Sequence, residues 1–254
     1  MGSLLSWLGR GLAAYLSQPR PRGAQIATSD PKKLAAALRP GDVLLVDGNT
    51  RISVAIKYLT QSTWSHAALY IGDALGPAPH GVEPQVLIEA DVSEGVRVVP
   101  LSMYADMHTR ICRPVGLEKA DLDRVIRYAV SRLGHRYDLK NVFDLARYLV
   151  PTPPVPSRWR RRMIAVGSGE PTRAICSTLV AQAFQSVRYP ILPEITLEKS
   201  GDPTCSDCHE EIMHIRHFSL FAPRDFDVSP FFEVVKPTLV YGFDYKSLKW
   251  ADRS

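Results

Sequence analysis

A chain of 254 residues with 45% hydrophobic and 22% charged side chains has the composition of a globular protein with a sizeable core, in one large domain or two small ones. Its formal charge of +5 is mildly basic and points only weakly to an anionic surface or solute as partner. Four unevenly spaced cysteines do not make a disulfide scaffold, and no apolar run is long enough to span a membrane.

Residues 3–17 put Leu4, Leu5, Trp7, Leu8, Leu12, Tyr15 and Leu16 on about half of a helical wheel, with Ser3, Ser6, Arg10, Ala13 and Ser17 opposite. This is the pattern of an amphipathic helix that lies on a membrane or docks on a partner. Arg10, Arg20 and Arg22 would add attraction to anionic lipid. Met1-Gly2 with Ser6 also fits the N-myristoylation pattern, which has meaning only in a eukaryotic cell. The start lacks the early basic region and continuous apolar run of a secretory signal. The expected location is therefore cytoplasmic or peripheral at a membrane. Pro19 to Gly23 reads as a linker, so the expected division is an N-terminal segment (1–26) and one domain (27–254).

A short helix is expected over 31–38, then a turn at Arg39-Pro-Gly-Asp42 and an apolar strand at Val43–Val46. Ile52 to Leu59 has helical spacing, and Ala67 to Ile71 is a buried strand with His66 at its start. A Pro- and Gly-rich loop (Gly76 to Pro84) leads to strands at Val86–Ala90, Gly95–Val99 and Arg110–Arg113, a mainly antiparallel meander. Helices follow over Asp121–Leu133 and Asp138–Leu149, the second with Asp138 as its N-cap. Residues 151–173 open with four prolines (Pro151, Pro153, Pro154 and Pro156), followed by Trp159 among Arg158, Arg160, Arg161 and Arg162, and then Gly167 and Gly169. So long a loop is a candidate lid or binding loop. No recognition helix or aromatic platform accompanies the basic run, so nucleic acid is not an expected partner.

After Pro171 and Thr172, the apolar residues Leu179, Val180, Ala183, Phe184 and Val187 mark one face of a helix, with Cys176 in or near its first turn. The unpaired N–H groups and positive dipole end there favour a thiolate. The plain alternative is a buried cysteine acting as a small hydrophobe. A nucleophile needs a base and an orienting group. His66 opens one strand, and Glu89 lies in the next among Val86, Leu87, Ile88 and Ala90, where an unpartnered carboxylate would be costly. On adjacent antiparallel strands the two lie side by side if they share a face. Beyond the helix, Leu192 to Pro203 reads as loop. Phe218 to Tyr245, rich in aromatic and β-branched residues, is expected to return across the sheet or the site.

Five ordered motifs carry a resemblance. They are Arg39-Pro-Gly-Asp-Val-Leu-Leu45, Ser65-His-Ala-Ala-Leu-Tyr-Ile-Gly72, Ile88-Glu-Ala90 with Gly95-Val96 and Pro100-Leu101, Gly134-His-Arg-Tyr-Asp138, and Ile175-Cys-Ser-Thr-Leu-Val180. Together they resemble the circularly permuted papain-like amidases of the YiiX/YaeF kind, within the NlpC-type peptidase superfamily, over a core of residues 39–187. The resemblance implies an α+β fold: a permuted papain-like domain with a mainly antiparallel sheet packed against the helix that bears the nucleophile. It implies Cys176 as nucleophile, His66 as base and Glu89 as the orienting member of a triad. Tyr137, with Ser65 and Trp64, would line the substrate pocket. The expected activity is that of a cysteine hydrolase on an amide or peptide, with no cofactor. The backbone N–H of Cys176 would be one oxyanion donor. The extension over 190–254 and the loop at 151–173 would set specificity.

The same architecture resembles lecithin–retinol acyltransferase-like enzymes. With the amphipathic N-terminus, this makes a membrane-associated lipid acyl hydrolase or acyltransferase the alternative, and lipid a further candidate substrate. A third reading is a non-catalytic binding protein on this scaffold, in which Cys176 is buried and inert. Cys205 and Cys208 with His214 and His217 have part of the spacing of a metal-ligand set. Only five residues separate Cys208 from His214, too few for a finger, so no metal site is assigned. Asp225 and Asp227 read as turn chemistry.

Overall fold

In the computed structural model of the chain, the described residues are Gln18, Ala27, residues 30–135, 175–199 and 209–240, and Gly242, Asp244 and Lys246. The amphipathic segment 3–17, Tyr137, the helix expected from Asp138, the loop 151–173 and the pair Cys205 and Cys208 lie outside them.

The first helix among the described residues, α1 (Pro31–Ala37), starts where its sequence says it should. The Asp30 carboxylate accepts from the N–H of Lys32 at 2.7 Å, and Pro31 occupies the first turn, where its missing N–H costs nothing. Strand β1 (Val43–Val46) is buried along its whole length. The helix α2 (Arg51–Thr60) is capped by Thr50 and ends at Gln61, whose φ of 50° is left-handed. Then come β2 (His66–Tyr70), β3 (Gln85–Asp91), β4 (Gly95–Pro100), a single 3-10 turn (Leu101–Tyr104) and β5 (Thr109–Pro114). The long helix α3 (Lys119–Ser131) precedes the cysteine-bearing helix α4 (Ile175–Gln185).

These strands and β8 (Phe232–Val235) form one six-stranded sheet in the order β4-β3-β2-β1-β5-β8, with every neighbouring pair antiparallel. This is the mainly antiparallel sheet expected of the fold, with the helix that carries Cys176 packed against it. Alternation along the strands sorts the side chains onto two cores. Val43, Leu45, Ala67, Leu69, Ile88 and Ala90 share a core with Val125 and Ala129 of α3 and with Leu179, Val180, Ala183 and Phe184 of α4. Leu44, Val46, Ala68, Leu87, Val99 and Ile111 share the other with Leu34 and Ala37 of α1. A strand covered on both faces reads as the unbroken run Val-Leu-Leu-Val rather than an alternation.

The C-terminal region does return to the sheet, as β8 at its edge, after the helix α5 (Pro223–Val228) and before the short helix α6 (Pro237–Val240). The stretch read as loop from Leu192 to Pro203 is corrected in part. Glu194–Lys199 is a strand, β6, paired with β7 (His209–His214) in a separate two-stranded sheet. Ile195, Leu197 and Met213 stay exposed there, so burial gave this arm no core pattern to read. Among the described residues no helix is long and apolar enough to cross a membrane.

Candidate active site

The site forms at the end of the sheet where β2 begins. His66 is the first residue of β2, level with Val46 of β1. Leu69 faces Ile88 across the β2–β3 pair, which brings Ala68 level with Glu89. His66 is one same-face step further on, a diagonal cross-strand neighbour of Glu89. Its Nε2 lies 2.8 Å from Glu89 Oε2. From the other side comes Cys176, the second residue of α4, buried against Ile56 and Ile52 of α2. A hydrogen bond and a charge interaction couple it to the His66 ring.

Glu89 is only 1% exposed, so every acceptor position of its carboxylate has to be accounted for. Oε1 accepts from Arg97 Nε at 2.9 Å and from Arg97 Nη2 at 2.8 Å. Oε2 takes His66 Nε2 and the hydroxyl of Tyr104. Burial by itself would raise the Glu89 pKa. The charge and hydrogen bond of His66, the Tyr104 hydroxyl and the charge of Arg97 overcome it and bring the value down to about 2. Burial works against a charged His66, but the charges of Glu89 and Cys176 and the hydrogen bonds to both push its pKa well above 6.5. Burial and the Glu89 charge raise the Tyr104 pKa, which keeps its hydroxyl a donor.

An ionised carboxylate only accepts, so His66 Nε2 carries a proton, and Nδ1 is the nitrogen left for Cys176. A base so held takes the thiol proton at Nδ1 and returns it to a leaving group, while the carboxylate offsets the imidazolium.

The sequence-derived residues thus divide. Cys176, His66 and Glu89 come together. Ser65 is buried, its Oγ accepting from Gly48 N at 2.9 Å and so tying the Asp47-Gly48 turn to β2. Trp64 is buried; its Nε1 donates to Asp227 Oδ2 at 2.9 Å, and its ring lies 4.9 Å from that of His108 and under the Arg110 guanidinium. Asp227 also receives Arg110 at 2.6 Å, while Asp225 caps its own helix by accepting from Ala222 N. His214 is hydrogen-bonded to Thr196 and His217 to Ser219. Among the described residues no three His, Cys, Asp or Glu side chains group as metal ligands. An open groove of about 610 Å³ runs beneath the Gly76–Pro84 loop, lined by Leu38, Tyr70, Val86 and Val98, at the far end of β2 from His66 and without contribution from Glu89 or Cys176.

Arg97 and Tyr104 were not among the sequence-derived site residues. Arg97 had a signal. Gly95, with φ of 81°, closes a three-residue turn (Val92, Ser93, Glu94) that sets Glu89 directly opposite Arg97. Tyr104 had none, because it sits in a 3-10 turn and reaches back fifteen residues to Glu89.

Residues 37–148 match the family model described as permuted papain-like amidase enzyme, YaeF/YiiX. A search of curated proteins found no match. The matched stretch contains His66, Glu89, Arg97 and Tyr104 and ends before Cys176. At the family level it supports a cysteine hydrolase of the amidase or peptidase kind.

Proposed function

We propose that the protein is a thiol hydrolase that cleaves an amide or peptide bond through Cys176, His66 and Glu89. The observation that carries this reading is the hydrogen-bonded chain from Glu89 Oε2 to His66 Nε2, with the same imidazole coupled to Cys176. His66 Nδ1 takes the thiol proton, and Cys176 Sγ attacks the acyl carbon. The C–N bond breaks as the imidazolium gives its proton to the leaving amine. His66 then takes a proton from water, the resulting hydroxide attacks the thioester, and Sγ leaves with that proton to restore the thiol. Glu89 stays ionised throughout and holds the ring in one tautomer. The first turn of α4 supplies the Cys176 N–H to the developing oxyanion.

One observation favours a second reading. Cys176 is only 4% exposed, as a non-catalytic scaffold with an inert cysteine would have it. Against this stands the cost of burying the Glu89 carboxylate to hold an imidazole beside a cysteine that does nothing.

Alkylation of Cys176, followed by peptide mass spectrometry against pH, separates the two. Rapid labelling at neutral pH that slows sharply in His66→Ala supports the thiol couple. Labelling of Cys176 no faster than that of buried Cys112, and unchanged in His66→Ala, favours the inert scaffold. Turnover then assigns the substrate class. Release of free amine from acyl-amides or peptides supports the amidase, whereas transfer of acyl groups between lipids, without amine release, supports the acyltransferase alternative.

A further inference from the structure

We propose that Arg97 and Tyr104 are positioning residues, which together hold the Glu89 carboxylate in the orientation that delivers Oε2 to His66 Nε2. The proposal rests on the Cys176–His66–Glu89 reading above and adds what keeps that chain in register.

A carboxylate at the end of a glutamate side chain rotates about its last torsion, which is broad and weakly restricted. Left to itself, Glu89 would present either oxygen to the histidine at variable angles. Arg97, directly across the β3–β4 pair, prevents this by placing both Nε and Nη2 on one oxygen, Oε1. The other oxygen is thereby turned towards His66. Tyr104 fills the second acceptor position of Oε2, and its ring stands 6.0 Å from the imidazole at a 40° tilt. The imidazole has a fixed wall on one side and a fixed acceptor at Nε2.

Arg97 is itself braced. Its Nη1 lies 2.9 Å from Glu94, and its Nη2 lies 3.8 Å from Asp91, so the turn of the hairpin sets the position of the guanidinium. The charged and titratable groups around Glu89 are therefore His66 on β2, Arg97 on β4, Asp91 and Glu94 at the turn, Tyr104 after β4 and, through His66, Cys176 on α4.

Neutralising a buried charge would need an arginine and a hydroxyl anywhere near Glu89. Positioning needs these atoms at these oxygens, and the two roles part experimentally in Tyr104→Phe and Arg97→Lys. Tyr104→Phe keeps the ring in its core and removes only the hydroxyl. Arg97→Lys keeps the charge and loses the two-nitrogen grip. In full-length protein checked for folding by circular dichroism and thermal melting, Cys176 alkylation by iodoacetamide is read against pH. Nitrogen-15 NMR of the histidine ring reports which nitrogen holds the proton.

The expected result is a roughly tenfold to hundredfold slower alkylation at neutral pH in each variant, the cost of a small misplacement. It is accompanied by a weakened or mixed Nε2–H signal for His66. If both variants shift only the melting temperature, with alkylation profile and ring signal as in wild type, the proposal is overturned. If Arg97→Lys does not fold, Tyr104→Phe alone decides. His66→Ala, run alongside, keeps the failures apart. Slow labelling in His66→Ala with wild-type labelling in Tyr104→Phe and Arg97→Lys rejects only the positioning role. Wild-type labelling in all three rejects the thiol couple itself.

Discussion

Asp42 and Glu89 are each 1% exposed, and each is gripped by an arginine across the sheet, yet the two grips differ. Arg113 spreads over both oxygens of Asp42, Nε to Oδ1 at 2.9 Å and Nη2 to Oδ2 at 2.7 Å, and also bonds the Ala37 carbonyl. The backbone N–H of Arg39 adds a further bond to Oδ2. Both oxygens of that carboxylate are engaged by Arg113, and its role is to fasten the turn before β1 to β5 and to the end of α1. Arg97 instead puts two nitrogens on a single oxygen of Glu89 and leaves the other for a histidine and a tyrosine. Burial outweighs the partners of Asp42 and raises its pKa, whereas the Glu89 pKa falls to about 2 despite burial. A buried carboxylate–arginine pair is thus no mark of function by itself. What distinguishes the second pair is the free oxygen and the imidazole that occupies it.

The sharpest break between the two pairs is chemical. Glu89→Ala should slow Cys176 alkylation at pH 7 by about 100-fold, at the lower end of what a positioned acid–base pair contributes. Asp42→Ala should leave that rate unchanged and cost about 3 kcal/mol in urea unfolding, because Arg113, only 18% exposed, loses its carboxylate. Equal effects of the two substitutions on alkylation would dissolve the distinction.

A second test uses acid. Glu89 has a folded pKa below its ordinary 4.5, so it contributes stability that is complete above pH 4.5 and is lost as pH falls towards 2. Asp42 has a folded pKa above 3.8, so the folded state takes up its proton first, and its contribution improves as pH falls towards 3.8 and is level below it. Unfolding free energies measured from pH 6 to pH 2 should therefore decline less steeply in Glu89→Gln than in wild type. In Asp42→Asn they should decline more steeply. The smallest effect belongs to the neighbouring tryptophan. Trp64→Phe removes the bond to Asp227 and should cost about 1–2 kcal/mol in stability, with Cys176 alkylation little changed. A large loss of reactivity there would bring the Trp64–Asp227–Arg110 cluster into the site.

Much of this geometry is legible in the chain because it depends on local patterns. The two strands follow from apolar runs, one opened by His66 and the other interrupted by Glu89, and the position of Cys176 follows from the helical spacing after it. Arg97 could have been added from the turn at 92–94, which fixes its partner. Tyr104 could not, since no period links a 3-10 turn to a strand fifteen residues earlier. The β6–β7 arm escaped for another reason. Glu194-Ile-Thr-Leu-Glu alternates as a strand should, but Pro193 and Pro203 flank it and its apolar side chains remain in solvent, so turn residues outweighed a weak pattern.

The two connections on either side of β3 differ in what they tolerate. Around Gly76 and Gly81 an added side chain would meet nothing within 4 Å, so the loop from β2 to β3 faces open space and has room to vary in length, although the positive φ of these two positions (83° and 81°) favours keeping them as glycine. The turn at 92–94 has no such freedom, because one inserted residue would carry Arg97 to the opposite face of the sheet. For protein engineering, the first loop is the natural place to splice in an affinity tag or fluorophore, while the second must be copied residue for residue in any graft of this hairpin onto another scaffold.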